Sequence, residues 1–301
     1  MRIGRYLHAG SRRLFWHITT PAGGAWLDGH HLHALAPRHM QDALERALCG
    51  GDAELLPLLP ELETALPANA AAALQAQATS GLPAEILPPV EPRSFICVGL
   101  NYLDHARESG AEPPQAPLLF GKTGNALAAH RQPVRLPPDS RQVDYEAELA
   151  VIVGRVCRQA GVEQARNAIA GYCCANDISA RDFQFGDTQW YRGKSADTFG
   201  PLGPVLVTPA EVGDPHDLSI RLRLNGRTLQ DSNTSNLIFH VPELIAYISR
   251  SITLQPGDVI LTGTPPGVGF ARKPPIYLQP GDEVEVEIEK LGILANPIVA
   301  G

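Results

Sequence analysis

One stretch limits the possible folds more than any other: Val143 to Gly154, VDYEAELAVIVG. Its last part, Leu149 to Val153, is a continuous apolar run, the signature of a β-strand buried on both faces. Just before that run stand Glu146 and Glu148, two residues apart. Side chains alternate faces along a strand, so both carboxylates lie on one side. Two like charges at the mouth of a buried strand repel each other and lose hydration, so a compensating partner is required. A hard divalent cation is the simplest one, because Mg²⁺ or Mn²⁺ takes carboxylate oxygens. The pair alone does not decide the matter, since Glu283 to Glu289 reads EVEVEIE with the same spacing. There every intervening residue is Val or Ile, which describes a strand with one wet charged face and one core face.

Length and composition narrow the class. At 301 residues the chain can bury a substantial core as one large unit or a large plus a small one. A net charge of −7 argues against a nucleic-acid or anionic-membrane surface. No apolar run approaches the roughly 20 residues of a membrane helix, and the N-terminus lacks the apolar core of a signal peptide. The five cysteines, Cys49, Cys97, Cys157, Cys173 and Cys174, show no paired spacing, which fits reduced thiols in a cytoplasmic protein. With 28 Gly and 27 Pro, tight turns are frequent and the architecture is expected to be β-rich.

Residues 1–80 read as a small N-terminal α/β unit. Short β-prone runs (Leu14 to Ile18, Ala25 to Leu27) are separated by Gly-rich turns, and Gln41 to Leu48 and the Ala-rich Glu61 to Thr79 read as helical. His30, His31 and His33 lack an accompanying carboxylate or cysteine pattern and are taken as a turn. Prolines 83, 88, 89 and 92 make residues 81–92 a linker. Residues 93–301 then form the main unit. It opens with a buried strand, Phe95 to Gly99, and a short helix from about Tyr102 that Gly110 ends. On that helix His105 and Glu108 share a face at i,i+3. A carboxylate orienting a histidine makes a general base, although the same spacing describes an ordinary surface pair.

Asp177 follows a run of small residues and offers a third carboxylate to Glu146 and Glu148. Lys194 lies in a Gly-Lys-Ser turn that lacks the upstream glycine of a phosphate-binding loop. Asn225-Gly226 marks a hairpin. Leu-Gln-Pro-Gly-Asp occurs at 254–258 and again at 278–282, and Pro-Gly suits the centre of a type II turn. Thr262 to Gly269, TGTPPGVG, would offer backbone N–H groups and the Thr264 hydroxyl to a ligand.

Six segments occur in one order: GLNYLDHARESG, YEAELAVIVGR, NDISARDFQ, QWYRGKSADTFGPLGP, QDSNTSNLIF and PGDVILTGTPPGVG. Together they make the chain from about 93 to 301 resemble the fumarylacetoacetate hydrolase family, which includes acylpyruvate hydrolases and oxaloacetate decarboxylases. The resemblance implies an α+β, mainly β fold, a mixed β-sheet roll, usually in a homodimer. It implies that Glu146, Glu148 and Asp177 hold one Mg²⁺ or Mn²⁺ per chain and that His105 and Glu108 activate water. Lys194 would stand beside the metal as a catalytic residue, and Lys122, Gln189 and Thr264 would contact substrate. Leu100 departs from the GRNY form, which removes an arginine contact to a substrate carboxylate and points to the GLNY-type branch.

The implied activity is metal-dependent hydrolysis of a C–C bond in 2,4-diketo acids. The same metal-held 2-oxo acid would serve an oxaloacetate-type decarboxylase or an oxo-acid isomerase. A catalytically silent oxo-acid-binding protein is the reading from another class.

Overall fold

A computed structural model describes residues 1–8, 11–20, 23–28, 36, 38–50, 52–65, 85–110 and 112–301. His30, His31 and His33 lie outside these, as do residues 66–79 of the expected Ala-rich helix, of which 61–65 are helical. The fold is α+β and mainly β.

The strand Ala147–Val153 is the organising element, and every residue in it is buried. Its odd positions, Ala147, Leu149, Val151 and Val153, join one apolar cluster with Ile220, Leu222, Val284, Val286 and Ile288. Its even positions, Ala150 and Ile152, join another with Met40, Leu44, Leu55, Leu59 and Leu62. The first cluster fills the space against a five-stranded sheet, ordered Arg227–Asn233, Ser219–Leu224, Glu283–Ile288, Gly292–Ala300, Val134–Leu136. The second is closed by N-terminal helical segments, among them Arg38–Gly50. A strand with a core on each side can be apolar throughout, which is why the alternation of a half-wet strand is missing here.

The sheet holding this strand has eleven members among the described residues. Its main path runs Gly23–Asp28, Ser11–Thr20, Arg2–His8, Gly200–Val207, Ile169–Asn176, Ala147–Val153, Val259–Leu261, Phe95–Gly99, Leu118–Lys122. The first strand of the chain pairs antiparallel with Gly200–Val207, Arg2 opposite Val207, so the N-terminal hairpin continues the main sheet. Within the proline-rich segment, Ile86–Leu87 pairs with the same first strand. Two residues flanked by prolines suit such an edge, where no further ladder partner is needed.

Local chemistry accounts for the turns. Asn225 and Gly226 take φ of 52° and 77°, the left-handed pair of a type I′ hairpin. Both Leu-Gln-Pro-Gly-Asp copies put glycine at positive φ, 91° at Gly257 and 96° at Gly281. In each copy the aspartate N–H closes the turn on the glutamine carbonyl at 3.1 Å, and the aspartate carboxylate accepts from the glutamine N–H. Cys97, Cys157, Cys173 and Cys174 are buried free thiols, and the Cys49 side chain lies outside the described residues. No helix among the described residues is long and apolar enough to cross a membrane.

Candidate active site

Glu146 and Glu148 fall on one face at the start of the central strand, and Asp177 just past the end of the strand that pairs with it. The register places Ala147 opposite Asn176. The Asp177 N–H donates to the Glu146 carbonyl at 2.9 Å, and the Asn176 side-chain oxygen accepts from the Glu146 N–H at 3.0 Å. Two chain segments thirty residues apart are thereby locked together, and one carboxylate oxygen from each of the three residues lies within 4.8 Å of the others. All three side chains are buried.

The three carboxylates are not equivalent. Lys194 Nζ donates to Glu146 Oε2 and to Asp177 Oδ2, both at 2.8 Å. Arg181 Nη2 donates to Glu146 Oε1 at 2.6 Å, while its Nε donates to the buried Asp144 at 2.9 Å. Burial raises the Glu146 pKa, but Lys194 and then Arg181 more than offset it and hold the carboxyl at about 2. Glu148 receives the Gly263 N–H at 2.7 Å, and no lysine or arginine among the described residues forms an ion pair with it. Burial, then the negative Asp177 and Glu146, push its carboxyl well above the usual range. Lys122 Nζ approaches Asp177 Oδ1 at 2.6 Å as an ion contact without hydrogen-bond geometry, and donates to the Ile178 carbonyl.

This asymmetry tests whether the residues fit a divalent cation. With all four carboxylates ionised, Asp144, Glu146, Glu148 and Asp177 face three cations, Lys122, Arg181 and Lys194, which leaves one negative charge uncompensated; the raised pKa of Glu148 marks it as the carboxylate that lacks a cation. The oxygen donors and the missing positive charge both match a hard ion such as Mg²⁺ or Mn²⁺. Lys194 is itself buried; burial works against its charge, but Asp177 and Glu146 prevail and raise its pKa. Its two carboxylate bonds suit a charged ammonium.

His105 and Glu108 lie on the helix Leu103–Ser109, which Gly110 ends at φ 66°. His105 Nδ1 is 3.2 Å from Glu108 Oε2. The Gly267 N–H donates to both Glu108 oxygens at 3.1 Å, tying the helix to the loop after Val259–Leu261. At the other end of the helix, Ser232 donates to Asp104 at 2.7 Å. A cavity of about 300 Å³ opens between this helix and the carboxylates, lined by His105, Glu146, Glu148, Arg181, Lys194 and Thr264. Leu100, Leu118, Phe120, Phe185, Trp190 and Phe270 give it an apolar wall.

Five expected residues, His105, Glu146, Glu148, Lys194 and Thr264, thus meet at the cavity with Arg181, which the sequence reading missed, while Asp177 and Glu108 stand behind the lining. Arg181 and Gln184 stand i,i+3 on one short helix, joined at 2.9 Å, and both line the cavity. Gln189, expected at the pocket, is exposed in the turn beyond that helix and is not among the cavity-lining residues. Lys122 sits behind Asp177 and does not line the cavity. The Thr264 hydroxyl lies at the wall, but its proton goes to the Ala147 carbonyl at 2.9 Å.

The sequence profile of the fumarylacetoacetate (FAA) hydrolase C-terminal family matches residues 94–299. The chain belongs to the fumarylacetoacetate hydrolase family. Among fumarylacetoacetate hydrolase relatives, the oxaloacetate tautomerase FAHD2A, mitochondrial, of Bos taurus is 42% identical over 279 residues, 92% of this chain and 85% of the relative. The solved fumarylacetoacetate hydrolase of Exiguobacterium antarcticum is 32% identical with a TM-score of 0.81, covering 100% of both chains. The maleylpyruvate hydrolase of Sphingobium sp. SYK-6, solved with manganese(II) and pyruvate, is 31% identical with a TM-score of 0.75, again covering 100% of both chains. This chain is accordingly an enzyme of that family with a buried acidic triad suited to a divalent metal.

Proposed function

We propose that the enzyme moves a proton between carbon 3 and the carbonyl oxygen of a 2-oxo acid, interconverting keto and enol forms of an oxaloacetate-like substrate. The observation that carries this reading is one cavity lined by a carboxylate-oriented histidine, by Glu146 and Glu148 of the acidic triad and by two cations, Arg181 and Lys194. The naming of the 42%-identical bovine relative supports it. A Mg²⁺ or Mn²⁺ held by Glu146, Glu148 and Asp177 would supply Lewis-acid polarisation of the 2-oxo group. With Glu108 on Nδ1, proton exchange falls to His105 Nε2, which takes the proton from carbon 3 and returns it to the oxygen. Lys194 and Arg181 remain charged throughout and stabilise the negative charge that develops on the substrate. The excess charge fits as well: a divalent ion turns one negative charge into one positive, which suits a single substrate carboxylate. The apolar wall lowers the local dielectric around the reacting atoms, which strengthens these charge interactions.

Hydrolysis of a C–C bond in a 2,4-diketo acid is the second reading. It is favoured by the 30% exposure of the Glu108 side chain, which lets water reach the dyad. Decarboxylation of an oxaloacetate-type acid and silent oxo-acid binding remain further outcomes of one experiment. With Mn²⁺ present, loss of the oxaloacetate enol absorbance reports tautomerisation, and pyruvate release from acylpyruvates or oxaloacetate reports cleavage or decarboxylation. His105→Ala is expected to keep Mn²⁺ binding and lower turnover by about 10²- to 10⁴-fold. Unchanged turnover in that variant would remove the assigned base, and binding without any turnover would establish the silent reading.

Residues 93–301 contain every side chain named in the site, and the division into 1–80, 81–92 and 93–301 belongs to the same proposal. So do a homodimer and action in the cytoplasm, although the bovine relative is named mitochondrial. Light scattering on the purified chain checks the dimer.

A further inference from the structure

The strand that carries Glu146 and Glu148 loses a neighbour where it matters most. Val259–Leu261 pairs with Ala150, Val151 and Ile152, and the chain then leaves the sheet at Thr262. The edge of the central strand at Ala147, between the two glutamates, has no backbone partner from that side among the described residues, yet it is wholly buried. Buried N–H and C=O groups must be paired somewhere. Here side chains do it. The Ala147 N–H donates to Gln230 Oε1 at 2.9 Å, and the Ala147 carbonyl accepts from the Thr264 hydroxyl at 2.9 Å. Gln230 Nε2 completes the ring, donating to Thr264 Oγ1 at 2.9 Å and to the Pro265 carbonyl at 2.8 Å.

Gln230 comes from Arg227–Asn233, an outer strand of the five-stranded sheet, and it is 0% exposed. Its three polar contacts all go to the metal-carrying strand or to the loop that supplies the Gly263 N–H to Glu148. A glutamine is needed because one side chain must accept once and donate twice in a fixed plane. Glutamate would offer no donor, and an apolar residue would orphan Ala147.

We propose that Gln230 is a positioning residue for the metal site: by clamping the peptide between Glu146 and Glu148 to the 263–265 loop, it sets the spacing of their carboxylates. The inference rests on the metal reading of those carboxylates. Gln230 is not among the cavity-lining residues and its side-chain bonds go to none of the carboxylates; it acts through Ala147 and Thr264, as outer partners of metal ligands do.

The probe is Mn²⁺ alone, titrated into the full chain and followed by electron paramagnetic resonance of the free ion, beside a thermal melt of the metal-free protein. Gln230→Met is expected to weaken Mn²⁺ binding by about 10- to 100-fold. Thr234→Val is the control, because it removes an equally buried side-chain bond, to the Leu218 N–H at 2.9 Å, just beyond the same strand. It should lower the melting temperature and leave Mn²⁺ affinity unchanged. If Gln230→Met does not fold, Thr264→Val and Thr264→Ser decide, since only the valine variant breaks the ring and should weaken the ion. Gln230→Met binding as tightly as the unaltered chain, Thr234→Val weakening the ion equally, or Thr264→Val and Thr264→Ser binding alike would each overturn the proposal. An unaltered chain that ignores Mn²⁺, or a Glu148→Ala variant that binds it as well, would bring down the metal site itself, a different failure.

Discussion

Two strands of this molecule carry carboxylates at every second position and meet opposite fates. In Glu283–Ile288 the valines and isoleucine point into the core, while Glu283 is exposed and Glu285 and Glu287 are half-buried. Arg223, from the neighbouring strand, reaches Glu285 at 3.1 Å and Glu287 at 2.7 Å, in contact with water. In the central strand the residues between and after the glutamates are buried on both faces, so Glu146 and Glu148 have no wet side to turn to. The number of covered faces, and not the spacing of the acids, separates a solvated strand from a site. A carboxylate in water needs no partner; one in a core must be given one.

The largest expected effect follows directly. Glu148→Ala should abolish Mn²⁺ binding and turnover together, because it removes the one carboxylate of the acidic triad with no protein cation paired to it among the described residues. Glu285→Ala, the same change on the other strand, should leave both intact and shift stability by less than about 0.5 kcal/mol. Calorimetric Mn²⁺ titration of the two variants reads the difference. Equal behaviour would mean that burial is not what distinguishes the strands.

A second contrast concerns the arginines. Arg181 is 3% exposed, bridges Asp144 and Glu146, and lies 4.4 Å from the Phe270 ring centre. Burial opposes its charge, but Glu146 and Asp144 prevail and raise its pKa. Arg181→Met would leave two buried carboxylates without that cation, a loss of about 3–5 kcal/mol in stability for breaking a buried pair from one side. Urea unfolding of the metal-free protein measures it; a change below about 1 kcal/mol, the range of a surface pair, would show the cluster to be wetter than its burial indicates.

Much of this arrangement was legible in the sequence, for identifiable reasons. The apolar run after Glu148 announces a doubly buried strand, and the repeated Leu-Gln-Pro-Gly-Asp and the Asn225-Gly226 pair announce turns through local chemistry alone. His105 and Glu108 are adjacent on one helical face, so three residues of spacing sufficed. Arg181 was missed because its partners Asp144 and Glu146 lie 35 or more residues away. Only its i,i+3 relation to Gln184 was visible, and that relation would have favoured Gln184 over Gln189 as the pocket glutamine. Gln230 carries no local signal at all: its role comes from an edge left open when a strand from elsewhere ends early. Likewise nothing near Arg2 foretells a pairing with Val207.

The smallest effect sharpens the comparison from its wet side. Arg223 forms two ion pairs, and Glu287 and then Glu285 raise its pKa through those hydrogen bonds. By count of ion pairs it resembles Arg181. By environment it does not: its side chain is 23% exposed and the acids it meets are 31% and 39% exposed, so water and salt screen the attraction. Arg223→Ala is therefore expected to cost about 0–1 kcal/mol in urea unfolding, and less at high salt, where the Debye length shrinks to about 3 Å in 1 M salt. A loss as large as that of Arg181→Met would show that the outer sheet depends on its charges, and the two strands would then differ in degree only.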